Sequence, residues 1–297
     1  MDHSHHHHET TELSGQKITW VTLLNASITL AEIIGGLLSG SLALLSDAMH
    51  NLSDTLSIVL SYTTYRIAQR PKNKRKTFGY RRAEILSAFI NALSLIVISG
   101  FLILEALRRF LSPEPIETGL MLTVALIGLV ANLVSVLLLE KERHHNLNLK
   151  STYLHLLADT LSSLGVIVGG LLIRFYQVLW VDPLLTLGIA IYILKEGLEL
   201  LKVTVDILMQ ASPHLDYEHI KEEIETLPYV KNIHHIHAWR MDEKHIYFEA
   251  HIDFEDQLLS TIQTSLHDIE HLLKDHFGIH HVTLQAECDV CKTKDLF

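Results

Sequence analysis

Between residues 18 and 201 the chain is a succession of long apolar runs, and that succession leaves few folds open to it. The runs cover residues 18–38, 41–68, 83–110, 118–139, 149–175 and 179–201. Each approaches or exceeds the roughly 20 residues that a helix needs to cross a bilayer. In hydrocarbon every backbone N–H and C=O must be satisfied within its own segment, so runs of this kind are read as helices. The expectation is an all-α six-helix transmembrane bundle over residues 17–207. Asn25, Glu32, Asp47, Asn91, Glu105 and Asn132 lie inside the runs and lower the hydropathy of several, so the count of six is an inference. Gly35-Gly36, Gly40, Gly165 and Gly169-Gly170 read as small residues that let membrane helices approach closely.

Lysine and arginine set the expected orientation. The connection between the second and third runs holds Arg66, Arg70, Lys72, Lys74, Arg75, Lys76, Arg81 and Arg82, and the fourth-to-fifth connection holds Lys141, Arg143 and Lys150. The first-to-second connection, Ser39-Gly40, holds none; Arg108, Arg109 and Arg174 run against the trend but are fewer. Both basic connections are therefore expected in the cytoplasm, with the N- and C-termini, in a multi-pass protein of the plasma membrane. Residues 71–76 are basic and contain no ligand-type cluster, so they are expected to meet anionic lipid head groups and not a metal.

Two stretches inside the apolar runs share a pattern: His50 with Asp54, and His155 with Asp159. Residues i and i+4 lie on one helix face, so each stretch offers an imidazole and a carboxylate side by side. Two such helices face to face would supply two nitrogens and two oxygens, enough for a tetrahedral zinc ion. An ordinary polar patch does not account for them, because ionisable groups within apolar spans are costly and mark ion or proton pathways. Asp47, three residues before His50, either orients that imidazole from the second shell of the site or makes a helix cap or interhelical hydrogen bond.

After residue 207 the composition turns charged and mixed. Apolar spacing predicts a helix over 214–226, strands over 230–240 and 246–254, an amphipathic helix over 258–277 and a last strand over 281–287. The order α-β-β-α-β suggests a small α+β domain over residues 208–297. The chain has 21 histidines and a net charge of −10, which favours metal and argues against nucleic acid as partner. Residues 1–16, with His3, His5, His6, His7 and His8, read as a disordered tail that either collects metal or is partly a purification tag. That acidic start does not resemble a secretory signal. Cys288 and Cys291 are too few for a disulfide framework; they form half a zinc site or a pair of unengaged thiols.

Residues 41–50 (SLALLSDAMH), Thr77-Phe78-Gly79-Tyr80, Asn146-Leu147-Asn148, the second His-x-x-x-Asp and residues 281–287 (HVTLQAE) together resemble the cation diffusion facilitator family. The likeness is to its zinc-transporting type, near the bacterial cobalt-zinc-cadmium resistance exporters. The resemblance implies zinc, and also cadmium or cobalt, as exported substrate and protons as counter-ion. It implies a metallochaperone-like cytoplasmic domain that pairs in a homodimer. It also places cytoplasmic zinc ligands at His234 and His251, and expects a His and an Asp where this chain has Gln285 and Glu287. The expected regulatory zinc set is then His234, His237, His251 and Glu287, with His267 as another substitute. Neutral imidazole binds metal and protonated imidazole does not, which couples the two ions. A membrane-embedded zinc hydrolase or a non-transporting metal sensor is the alternative; the order of zinc, cadmium and cobalt, and any part for potassium, are left open.

Overall fold

The structure is a computed structural model that describes residues 6–139, 147–291 and 294–296. His3, His5, Lys141, Arg143 and Asn146 lie outside the described residues. Six long helices come first: α1 (His6–Ser39), α2 (Leu42–Ala68), α3 (Arg82–Leu111), α4 (Thr118–Leu139), α5 (Leu147–Tyr176) and α6 (Val181–Leu208). They follow the six apolar runs to within a few residues, except that α1 begins at His6 and α6 continues to Leu208. Residues 6–16, expected to be disordered, are thus helical, because adding residues to a formed helix avoids the costly nucleation step. Among the described residues three helical stretches are apolar enough by length and composition to cross a membrane: Arg82–Leu111, Thr118–Leu138 and Tyr153–Tyr176. In α2 and α6 the apolar run is interrupted, by Asp47, His50 and Asp54 and by Lys195, Glu196 and Glu199. Large apolar side chains such as Leu37, Val97, Phe101 and Leu104 are exposed along the helices. Lipid tolerates such a surface and water does not.

The chain divides into two compact units, Met1–Tyr62 with Ile90–Leu200, and Thr63–Phe89 with Leu201–Phe297. In the first, α4 packs on α5 and α1. Small residues set the spacing: a methyl at Gly35 would meet Val124 at 2.7 Å, and one at Gly170 would meet Leu122 at 2.8 Å. Ala43, Leu44, Met121, Ala125 and Val166 fill the space between.

The start of α2 is fixed by a residue distant in sequence. Gly40 takes the left-handed conformation (φ +73°) that turns α1 into α2. The first backbone N–H groups of a helix have no partner within it. Here Asp182 of α6 supplies one, accepting from Leu42 N at 2.9 Å, Ala43 N at 3.2 Å and Ser41 Oγ at 2.5 Å. At the same turn Arg109 donates to the Gly40 carbonyl and is neutralised by Glu105 at 3.4 Å and Glu114 at 3.3 Å. That use explains why an arginine stands at this end against the charge trend.

The second unit carries α7 (Tyr217–Glu225), β1 (Val230–Arg240), β2 (Ile246–Phe254), α8 (Leu259–Phe277) and β3 (His281–Glu287) in the expected order. The sheet order is β1-β2-β3, with β2 antiparallel to β1 and parallel to β3, so α8 is the crossover that a parallel pair requires. One sheet face joins α7 and α8 in a core of Ile220, Ile224, Ile233, Ile236, Phe248 and Ile269, among others. Ile233 and Ile236 are three apart, which simple alternation cannot place on one face. The register shifts between His234 and His237, and His235 has φ +54°, so one extra residue is absorbed as a bulge. The bulge leaves Ile233, Ile236 and Ala238 in the core and sends His234 to the other face, where β2 presents Tyr247, Glu249, His251 and Asp253.

After β3, residues 288–291 and 294–296 fold back over that second face. Asp289 N donates to Asp253 Oδ1 at 2.8 Å, Lys231 Nζ meets Asp289 Oδ2 at 2.9 Å, and Lys294 pairs with Asp253. The β1 edge then takes the chain end, His235 N donating to Asp295 O at 3.1 Å and Ile236 N to Leu296 O at 2.8 Å. The segment between α2 and α3 belongs to the same unit: Phe78 meets Tyr247 edge-on (ring centroids 5.7 Å apart) and Arg81 pairs with Asp242 at 3.4 Å.

The cap on α2 gives a first prediction. Asp182→Ala orphans two buried N–H groups at about 1–3 kcal/mol each, and should destabilise the detergent-solubilised protein by about 2–6 kcal/mol. Thermal unfolding measures this, and an unchanged midpoint would rule out the cap as a determinant of the fold.

Candidate metal centres

The first centre lies between α2 and α5. His50 and Asp54 share one face of α2, His155 and Asp159 one face of α5, and the two faces meet. Asp54 Oδ2 lies 2.9 Å from His155 Nε2 and 3.6 Å from His50 Nε2. Asp159 lies 3.8 Å from each imidazole. His50, His155 and Asp159 each offer an atom within 4.8 Å of the others. His50 and Asp159 are buried, whereas Asp54 and His155 are partly open. A cleft of about 350 Å³ reaches His50 and Asp159, with Ser162, Gly188 and Tyr192 in its wall. The four sequence-predicted transport residues are therefore brought together.

Two atoms at this centre stand unsatisfied. Asp159 Oδ2 and His50 Nδ1 are buried with no hydrogen-bond partner among the described residues. A buried polar group left in that state costs free energy unless something else occupies it.

Asp47 is placed differently from one of its two expectations. Its carboxylate accepts from Ser162 Oγ at 2.6 Å and Ser163 Oγ at 3.3 Å, both on α5, and His50 Nδ1 has no partner. Asp47 thus corrects to an interhelical hydrogen bond: it fixes α2 against α5 and does not orient the imidazole as a second-shell group.

Two groups were not given a role from sequence. Tyr192 of α6 lies 5.9 Å from the His50 ring. Glu32 of α1, fully buried, accepts from Asn51 Nδ2 at 3.1 Å, and its second oxygen occupies the space where any side chain at Gly128 would stand. A carboxylate in an apolar run was the available signal for Glu32; nothing marked Tyr192.

The second centre lies on the polar face of the sheet. The pairing sets His234 of β1 opposite His251 of β2, and Gln285 of β3 beside His251. Glu287 Oε1 is 2.8 Å from His251 Nδ1, and Glu287 Oε2 is 3.5 Å from His234 Nε2. Gln285 does not act as a ligand here; its Nε2 donates to Glu287 Oε1 at 2.8 Å. Cys291, carried in by the returning chain end, places Sγ 3.9 Å from His251 Nδ1. His234, His251, Glu287 and Cys291 each offer an atom within 4.8 Å of the others. Burial raises the Glu287 carboxyl, but the Cys291 thiol and the two imidazoles outweigh it and hold the group below its ordinary range.

Three expectations change here. His237 lies apart from the cluster, on the exposed side of the bulge, 3.4 Å from His235. His267 pairs with His271 at 3.2 Å along α8. Cys288 is exposed and takes no part, so the two cysteines do not act as one clip. His237 lies in a strand that contains a bulge, His267 stands on the separate helix α8, and Cys288 was read from spacing alone beyond the last strand.

Residues 18–209 match the cation efflux transmembrane domain, and residues 212–288 match the cytoplasmic domain of cation efflux proteins. The chain is 38% identical over 289 residues to the cadmium, cobalt and zinc/H(+)-K(+) antiporter of Bacillus subtilis, covering 96% of this chain and 92% of that protein. It is 36% identical to the zinc transporter ZitB of Escherichia coli, over 99% of this chain and 95% of that protein. It is 35% identical to the metal cation efflux system protein CzcD of Cupriavidus metallidurans, over 99% and 92%. With a helical transmembrane domain followed by a cytoplasmic domain that holds a small sheet, the chain belongs to the cation efflux family.

Proposed function

We propose that this protein exports zinc, and also cadmium or cobalt, from the cytoplasm in exchange for protons, through the site formed by His50, Asp54, His155 and Asp159. As a member of the cation efflux family it is a metal-cation transporter of the membrane and not an enzyme. The hydrolase and pure-sensor alternatives are therefore not favoured. The observation that carries the reading is the meeting of the two His-x-x-x-Asp faces between two long helices. Two imidazoles and two carboxylates suit a borderline divalent ion, and in this number they close a tetrahedron.

The contact between His155 Nε2 and Asp54 Oδ2 supports exchange with protons. At 2.9 Å it is a hydrogen bond, so a proton lies between two atoms that would both bind metal. Whichever atom carries it, a metal ion entering the site must displace that proton. Protonation on the other side of the membrane would then expel the metal. This is alternating access around a fixed site. The partly open side of His155 and Asp54 offers the path for that exchange.

We place six spans over residues 17–207, from α1 to α6, and the cytoplasmic domain over residues 208–297, with both termini in the cytoplasm of a plasma-membrane protein. The basic segment between α2 and α3 supports this orientation, since it lies in one unit with the sheet domain. The cytoplasmic domain is read as the metallochaperone-like pairing element of a homodimer. Its cluster at His234, His251 and Glu287 is read as a regulatory zinc site that senses the ion without carrying it.

Three outcomes test these readings. Asp159→Asn keeps the shape of the side chain and removes an anionic ligand, so zinc uptake into inside-out vesicles with an acidic lumen should fall by at least about tenfold. Near-normal flux in that variant, with a normal size-exclusion profile, would refute the four-ligand site. His50→Asp leaves one imidazole among three carboxylates and should shift the ratio of cadmium to zinc transport; an unchanged ratio would remove His50 from the selectivity ligands. Replacing His234 and His251 together by Ala should leave transport in place at reduced apparent affinity, whereas complete loss in a folded protein would show that the cytoplasmic cluster lies on the ion's path.

A further inference from the structure

We infer that Cys291 is the fourth ligand of the cytoplasmic cluster, and that residues 288–291 and 294–296 form a strap which closes over a mixed imidazole–carboxylate–thiolate site for a soft divalent cation such as cadmium or zinc. The inference rests on the reading of His234, His251 and Glu287 as a metal site, and goes beyond it in donor set, preferred ion and mechanical consequence.

The cluster is prepared on every side except its centre. Asn232 Nδ2 donates to Glu225 Oε1 at 2.9 Å, which fixes the amide so that Oδ1 faces His234 Nδ1 at 3.1 Å. An oxygen acceptor there requires the proton on Nδ1, and so leaves the lone pair of His234 on Nε2. That nitrogen is buried with no partner among the described residues. Glu287 Oε2 is in the same condition, while Oε1 is held by Gln285. Such outer hydrogen bonds orient metal ligands. Two buried lone-pair atoms 3.5 Å apart, neither satisfied, are what a cation between them would resolve.

A thiol that only donated to Glu287 would leave those two atoms as they are. With Cys291 as a ligand the set becomes two nitrogens, one oxygen and one sulfur, all within 4.8 Å and all from one protomer. Four ligands close a tetrahedron and leave no position for water, as in sites that hold structure. Thiolate favours zinc and cadmium over magnesium, calcium or manganese. Binding would release the thiol proton to solvent and form the metal–sulfur bond. It would also fasten the strap, which otherwise rests on Asp253, Lys231 and the edge of β1 through Asp289, Lys294 and residues 295–296.

The experiment uses full-length reduced protein in detergent, with Asp159→Asn to weaken the transport site, titrated with cadmium alone and then with zinc alone. A thiolate-to-cadmium charge-transfer band should appear in the ultraviolet, and cadmium should protect Cys291 from alkylation by a maleimide. Cys291→Ser should abolish the band and lower cadmium affinity by at least about tenfold, the lower end of the cost of losing even an outer supporting group. Zinc affinity should fall less. Cys288→Ser should keep band and affinity. A band that survives Cys291→Ser, or that needs Cys288, overturns the assignment. Cadmium bound at the cluster with no band, and with Cys291 still reactive, overturns the thiolate while leaving the imidazole–carboxylate site standing. A band that survives His234→Ala places the metal elsewhere and refutes both.

Discussion

The structure depends on a cost: four ionisable side chains stand between helices whose outer faces are apolar. Isolated charges there are expensive, so the group persists only while an ion or a proton balances it. The hydrogen bond between His155 and Asp54 is that balance without metal. It needs α2 and α5 held at one separation and one rotation. Asp182 ties the start of α2 to α6, and Asp47 ties its middle to Ser162 and Ser163 of α5. Both ties are carboxylates accepting from the neighbouring helix, and both are directional. The glycines of α1 and α5 set only how closely helices approach, which apolar packing alone would leave free to slide.

Most of this frame was legible in the sequence because its determinants are local. Apolar length marked the helices, and the i, i+4 spacing put His50 with Asp54 and His155 with Asp159 before any contact was known. The three strands of the second domain follow from alternation and were placed at their true ends. What escaped depends on one residue or on distant pairing. The bulge at His235 cannot be read from composition, and it sets the faces of the residues after His234, putting His237 opposite Glu249. Cys291 could be named as a metal-binding residue type, but its position over His251 comes from hydrogen bonds to Asp253 and to the β1 edge, made by a segment without periodicity. Asp47 shared a face with His50 and invited a role beside it; the serines that claim it lie more than a hundred residues away.

The two centres differ in how their ligand-type atoms are held. Both bring together a pair of imidazoles and leave a buried nitrogen and a buried carboxylate oxygen without partners. They differ in what surrounds those atoms. Around the first, the ligands stand on two helices with one side partly open, and each carboxylate is shared between imidazoles. A proton can be exchanged for a metal there with little rearrangement, which suits an ion that must leave. Around the second, His234 and Glu287 are each held from outside by an amide side chain, and the returning chain end covers the face. Prearranged ligands lose less on binding and hold longer. A carrier site needs ready release and a sensing site needs retention. The proposed transport and sensing roles fit this difference, since ligands shared with protons release an ion readily and ligands fixed in advance retain it.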